Sequence, residues 1–277
     1  MNVDPHNNLG GLESPQDQRD YDIGKIQAPV VRPDTNLPDY FLPVYYQNGQ
    51  PDCGGEAGAK FQNIKRLLNA PLSRRFVYAL CKKIDGVPTQ EGTFGRAIMQ
   101  VLQRYGVPLE SYFPTDVSLP HAEFADWTKI PQAAYIDALS RRIGAYAQVT
   151  DLSPEGLRQA IYQNKAVLVL KSPWTPASWY PFDSNSGHFF VLDGYTPTKY
   201  RFANSFGSWW GDNVNGGGNG YGYLLDSDLP TIKEAWTAVE LTVDVPLPTP
   251  MPADPVQKRN WILDRIALLK SYLPFFK

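Results

Sequence analysis

Gln47-Asn48-Gly49-Gln50-Pro51-Asp52-Cys53-Gly54-Gly55-Glu56-Ala57-Gly58-Ala59 sets a cysteine in a Gly-rich turn, six residues after a glutamine. It leads into a run, Ala57-Gly58-Ala59-Lys60-Phe61, that can open a helix. At a helix N-terminus the unpaired backbone N–H groups and the macrodipole favour negative charge, so a thiol there is drawn toward its nucleophilic thiolate. Cys53 is therefore a candidate nucleophile. A lone cysteine is just as well read as a small buried hydrophobe, so its partners decide.

Two partners lie downstream. His188 stands in Ser186-Gly187-His188-Phe189-Phe190-Val191-Leu192-Asp193-Gly194-Tyr195, which reads as a short apolar strand ending in a turn at Asp193-Gly194. The other two histidines, His6 and His121, fall in a polar leader and a loop. Asn204 stands in Tyr200-Arg201-Phe202-Ala203-Asn204-Ser205-Phe206-Gly207-Ser208-Trp209-Trp210-Gly211, where a strand delivers an amide to a loop of aromatics and glycines. His188 follows Cys53 by 135 residues, and Asn204 follows His188 by 16.

This Cys, His, Asn order and spacing resembles the papain-like cysteine peptidases, in which the histidine and asparagine follow the cysteine by about 130–150 residues. The likeness covers roughly Leu37 to Val245. It implies an α+β fold of two lobes, one helical and one β-barrel-like, with the active-site cleft between them. It assigns Cys53 as nucleophile, His188 as general base and acid, Asn204 as the residue that orients the histidine, and Gln47 as the oxyanion-hole glutamine. It further places Gly92, Phe189, Phe206 and Trp210 along the substrate-binding cleft, Gly92 by pairing its backbone with an extended peptide. The segment Asn204 to Gly211, followed by Asn219-Gly220-Tyr221, is similar to the family's Asn-Ser-Trp-Gly…Trp-Gly…Asn-Gly-Tyr block. No metal or organic cofactor is implied.

The departures are local. Gln50-Pro51-Asp52 precedes the cysteine and Gly54 follows it, where the family signature has a cysteine, a glycine and a small residue before and an aromatic after. Phe206 replaces the usual tryptophan lid over the His–Asn pair, and Phe189 narrows a pocket usually lined by a smaller residue.

With 277 residues, 43% of them hydrophobic and 13% aromatic, the chain is large enough for one domain of two lobes with a well-buried core. A net charge of −2 gives no reason to expect nucleic acid. The basic pairs Lys65-Arg66, Arg74-Arg75 and Lys82-Lys83 read as solvated faces. Neither an export signal nor a membrane-spanning run is visible. Cys53 and Cys81 are the only cysteines, Cys81 in an apolar stretch, so no disulfide framework is expected and a reducing compartment such as the cytoplasm is.

Residues 1–36 form a polar, Pro-rich leader or short pro-segment, with Ser14–Tyr21 its only structured-looking part. The peptidase-like domain is expected over 37–245, its helical lobe at about 50–132 and its β-rich lobe at about 133–245. Phe61, Ile64, Leu67 and Leu68, then Phe94, Ile98 and Leu102, recur at helical spacing. Gly144–Val149 and Ala166–Leu170 read as strands around a helix over Ser153–Gln163 that Ser153 can cap. Gly216–Gly220 lacks the lysine of a phosphate loop and is read as a plain loop. Pro246–Pro255 is a linker to a C-terminal amphipathic helix over 256–277, open to docking on its own domain, a partner or a membrane surface. The expected activity is peptide-bond hydrolysis on a peptide or protein. The alternatives are a catalytically silent peptide-binding or structural protein of the same fold, and a cysteine amidase acting on cell-wall or isopeptide bonds.

Overall fold

Three helices carry the side of the molecule that holds Cys53. The computed structural model describes residues 9–172, 186–211 and 219–239. The expected linker and C-terminal helix, and residues 216–218 of the glycine loop, lie outside them. A two-residue strand β1 (Gly11–Leu12) and a one-turn helix α1 (Ile23–Ile26) come first, followed by α2 (Cys53–Arg66) and α3 (Arg74–Ile84). Next come β2 (Thr93–Phe94), α4 (Gly95–Arg104) and the short α5 (His121–Phe124) and α6 (Gln132–Ala138). Then β3 (Ala145–Gln148), α7 (Pro154–Asn164), β4 (Val167–Lys171), β5 (His188–Tyr195), β6 (Lys199–Ala203), β7 (Tyr221–Leu225) and β8 (Ile232–Val239) complete the described chain.

The helical region is three separate helices. α2 ends because Leu67 turns left-handed, at φ 49°, and the Leu68 N–H closes on the Asn63 carbonyl at 2.9 Å. Leu67 is accordingly 55% exposed rather than core. Phe94 belongs to β2 and leads into α4, so it extends no helical stripe. α2 and α3 approach closely at Gly55, where an added Cβ would lie 2.7 Å from the Arg74 carbonyl oxygen.

Strands β3 to β8 form one antiparallel sheet in the order β3-β8-β4-β5-β6-β7. Its apolar runs are continuous because both faces are covered. Leu168, Leu170, Phe189 and Val191 join the core shared with α2, α3 and α4, while Val167, Val169, Phe190 and Leu192 join the core shared with α7. This is an α+β architecture with helices and sheet around a common interior. α7 starts as its sequence reads, the Ser153 hydroxyl accepting from Gly156 N–H at 3.2 Å.

Asp193-Gly194 makes no chain reversal. The strand runs on to Tyr195 with a register shift between Leu192 and Gly194, and Asp193 pairs with Arg201 of β6 through Nε (2.9 Å) and Nη2 (2.7 Å). The basic pairs are only partly solvated. Lys65 donates to the Asn164 and Ala238 carbonyls, Arg74 pairs with Glu56, and Lys82 is 1% exposed against Asp85. Residues 9–36, though largely exposed, are attached to the body at intervals. Tyr21 pairs with Gln148, Gln27 with Asn164, Arg32 with Glu155 and Asn36 with Tyr195.

Candidate active site

Cys53 is the first residue of α2 and is fully buried. β5, packed against α2, delivers His188 at its first position, and the next residue, Phe189, donates its N–H to Cys53 Sγ at 3.4 Å. Asn204 follows the end of β6 and its Oδ1 lies 2.7 Å from His188 Nε2. That oxygen also accepts from Ser205 N–H at 2.9 Å, which fixes it as the acceptor end of the amide. Nε2 must then carry a hydrogen, which leaves Nδ1 as the basic nitrogen of the neutral ring.

Gln47 is held from two sides. Ser205 Oγ donates to its Oε1 at 2.7 Å, and its Nε2 donates to the Gln50 carbonyl at 2.8 Å. The same Nε2 reaches the carbonyl oxygen of Leu9 at 3.3 Å, and Cys53 N–H reaches that oxygen at 3.4 Å. Two donors from different segments thus converge on one carbonyl beside the thiol. Phe206 stacks on the His188 ring, centroids 5.0 Å apart and planes 24° apart, and Trp210 backs Phe206 edge-on at 5.8 Å. Phe206 and Trp210 are both buried, so the His–Asn pair lies beneath an apolar cover.

Against solved structures the chain matches xylellain, a cysteine protease from Xylella fastidiosa, at 21% identity over 84% of this chain and 96% of that one, with a TM-score of 0.65. It matches procathepsin B S9 from Trypanosoma congolense at 16% identity, covering 88% and 90% of the two chains, with a TM-score of 0.57. The Carica candamarcensis cysteine protease CMS1MS2 matches at 15% identity, covering 72% and 92%, with a TM-score of 0.54. The chain has the papain-like fold. No family model and no curated protein sequence matches it.

Within this papain-like cleft the charge state differs from the reading of Cys53 as a helix-terminus thiolate. A helix N-terminus supplies at most about 2 kcal/mol, or about 1.5 pKa units. Full burial raises a thiol by up to about 3–5 units. Burial wins: it pushes the Cys53 thiol well above its ordinary value, against weaker opposing hydrogen bonds from the Phe189 and Gly54 amides. Burial likewise lowers the His188 imidazole to about 4, with the Asn204 hydrogen bond pulling the other way. In the covered cleft both groups are neutral at pH 7. Asp52, next to the nucleophile, is also buried, and both its carboxylate oxygens lack a partner. Burial, with Glu56 beside it, raises its carboxyl well above the usual range.

Gly92 sits at the cleft, but its own backbone is engaged elsewhere. Its N–H donates to Tyr78 Oη at 3.0 Å and its carbonyl accepts from Lys82 Nζ at 2.7 Å. The amide offered to the cleft is that of Thr93, which donates to the Gly10 carbonyl at 2.9 Å. Tyr78 in turn contacts His121 Nε2 at 2.8 Å, and Asp85 receives both Lys82 and the Thr93 hydroxyl. Tyr78, Lys82 and Asp85 thus clamp the cleft edge from α3 and its C-terminal turn. Sequence reasoning missed Ser205, Thr93 and this clamp. Only Ser205 carried a signal, by lying in the Asn204 block. Phe189 contributes its amide to the thiol, while its side chain is buried in the helix–sheet core.

Among the described residues no group of three or more His, Cys, Asp and Glu is placed to hold a metal. No described helix is long and apolar enough to cross a membrane.

Proposed function

We propose that the protein is a cysteine peptidase that hydrolyses peptide bonds with Cys53, His188, Asn204 and Gln47. The convergence of Cys53 N–H and Gln47 Nε2 on one carbonyl oxygen beside the thiol carries the reading. A tetrahedral intermediate needs such a pair, and each donor is worth about 3 kcal/mol of transition-state stabilisation. His188, its Nε2 hydrogen held by Asn204, takes the thiol proton at Nδ1. Cys53 Sγ attacks the peptide carbonyl, the carbon–nitrogen bond breaks as the imidazolium returns its proton to the leaving amine, and water releases the acyl group from sulfur. Ser205 holds Gln47 in register, and Phe206 shields the His–Asn hydrogen bond from water. Thr93 N–H, with Gly92 behind it, offers a pairing edge to an extended peptide substrate. Two free cysteines support a reducing compartment.

The test is intact-mass analysis after incubation with an epoxide-type cysteine-peptidase inactivator, with peptide mapping. A single adduct on Cys53, lost in Cys53→Ala and in His188→Ala, is expected together with cleavage of a casein-derived peptide pool. Equal labelling of Cys53 and Cys81, independent of His188, would refute the mechanism.

A further inference from the structure

Asp52, the residue before the nucleophile, is a buried carboxyl for which the proposed mechanism has no use. It is 0% exposed and neither of its oxygens has a partner. It stands at the N-cap of α2, where an aspartate ordinarily accepts from the helix's first amides, yet it makes no capping bond. Glu56 follows four residues on, so the two carboxyls share one face of the helix, one turn apart. Glu56 is also buried, and one guanidinium serves both. Arg74 Nη1 meets Glu56 Oε1 at 3.3 Å and Oε2 at 3.5 Å, Nη2 lies 3.7 Å from Glu110, and Nε has no partner.

Two buried carboxyls one turn apart do not both stay charged beside a single guanidinium. Like charges repel, and the carboxyl without a hydrogen-bond donor is the costlier to ionise. The pair keeps one proton, and the donors decide which carboxyl holds it: Glu56 has Arg74, and Asp52 has none. Burial raises both, with Arg74 the chief opposing influence at Glu56 and the Glu56 charge adding to the rise at Asp52. The surrounding groups leave this division intact. Tyr78, from α3, spends its hydroxyl on Gly92 N–H and His121. Glu110, in the single turn Glu110–Tyr112, shares Arg74, and Lys60, further along α2, donates to the Leu42 and Pro43 carbonyls. The remaining neighbour is Cys53, whose thiol, already raised by burial, is raised further by charge on Asp52.

We infer that Asp52 and Glu56 share one proton, and that the Glu56–Arg74 pair keeps it on Asp52, so that the Cys53 thiolate forms beside a neutral neighbour. Asp52 is thus a positioning residue for charge at the sulfur. The inference rests on the reading of Cys53 as the peptidase nucleophile. Glu56 protects that nucleophile at a distance, by claiming the guanidinium. Its removal hands Arg74 to Asp52 and sets a negative charge against the helix N-terminus that would otherwise favour the thiolate. Removal of Arg74 instead leaves both carboxyls protonated and the thiol unaffected.

The test uses the full chain and reads the pH midpoint of Cys53 alkylation by iodoacetamide between pH 6.5 and 10. Labelling is followed by intact mass and mapping with Cys81 as internal standard, folding by circular dichroism, and peptide hydrolysis alongside. The midpoint is read because cleft opening scales the labelling rate and leaves the midpoint in place. Glu56→Gln is expected to raise it by about one to two pH units, or about 10- to 100-fold slower labelling at pH 7.5. Asp52→Asn should have a midpoint no higher than the parent's, and Asp52→Asn/Glu56→Gln should return to it, a rescue that a structural role for Glu56 would not give. Arg74→Met should not raise the midpoint. Infrared difference spectra at pH 7.5 serve if Glu56→Gln fails to fold: a protonated-carboxyl band of the parent should be missing from Asp52→Asn. An unmoved midpoint in folded Glu56→Gln, no rescue by Asp52→Asn, a rise in Arg74→Met, or an unchanged infrared band in Asp52→Asn would overturn the inference. The expected midpoints in a protein that hydrolyses no peptide would support the shared proton and refute the peptidase reading instead.

Discussion

Acidification is expected to loosen the strap formed by Leu9–Leu12, whose Leu9 carbonyl lies between Cys53 N–H and Gln47 Nε2, because His188 is carried neutral beneath it. Burial holds the imidazole at about 4 in the covered state, against an ordinary value of 6.5. A cleft open to water returns it toward that ordinary value, so between these limits the open state binds the extra proton and falling pH favours it. The closed state is fully favoured above pH 6.5 and loses up to about 3 kcal/mol as pH falls to 4. At pH 5 the loss is about 2 kcal/mol, about a thirtyfold shift toward opening. Among the described residues the ring is faced by Asn204, Phe190 and Phe206, all of them uncharged. Glu234, which accepts from Ser14 N–H, works the other way: its buried carboxyl is raised, so its protonation favours the closed form. A His188→Gln variant keeps the Glu234 contribution and removes the larger one. Amide hydrogen exchange of a peptide spanning Leu9–Leu12, corrected for intrinsic rates, reads the equilibrium. Protection should fall about twentyfold from pH 7 to pH 5 in the parent and stay level or rise in the variant. Equal pH dependence in both proteins would refute the assignment of the switch to His188.

Asn204→Ala removes the acceptor of a buried hydrogen bond that becomes charge-assisted when His188 is protonated. Such bonds are worth about 1.5–3 kcal/mol, so kcat of the strap-released enzyme should fall about 10- to 150-fold with little change in KM. A change below twofold would show that Asn204 does not orient the ring. Arg201→Met leaves Asp193 buried without its bidentate partner and frees the Pro38 carbonyl. The expected cost is about 3–5 kcal/mol, or about 6–20 °C in Tm, with most of it regained in Arg201→Met/Asp193→Asn. An unchanged melting temperature would mean that the pair contributes only specificity.

The site was legible where chemistry and spacing reinforce each other. Gln47, Cys53, His188 and Asn204 are residue types whose joint order has few structural explanations, and in the structure His188 meets Asn204, its neighbour Phe189 meets Cys53 Sγ, and Gln47 and Cys53 N–H reach one carbonyl oxygen. α7 was legible because Ser153, with Glu155 in the first turn, is a local start signal, and β4 and β5 because a sheet covered on both faces leaves unbroken apolar runs. Asp193-Gly194 misled because its local turn preference is overridden by a salt bridge to the neighbouring strand. Lys82 misled because a lysine in a basic pair looks solvated until Asp85 and the Gly92 carbonyl are brought to it. The leader was least legible. Its order comes from Thr93, Gln148, Gly187 and Glu234, all distant in sequence, while its own composition carries no periodic signal.

Burying Cys53 and holding its thiol neutral are one event in this molecule. A thiolate–imidazolium pair is favoured by the helix terminus and by the Phe189 amide, but these are modest beside the cost of charge in a dry site. While Leu9 and its apolar neighbours exclude water, burial favours neutral Cys53 and His188, with neither residue displaced. On the proposed mechanism, a cleft open to water would lower the thiol pKa and raise that of the imidazole, so that the proton moves from Sγ to Nδ1. Opening also empties the position between Cys53 N–H and Gln47 Nε2 for a substrate carbonyl. Variants that loosen the strap should therefore raise thiol reactivity and peptide turnover together, whereas a change in the catalytic groups alone should separate the two.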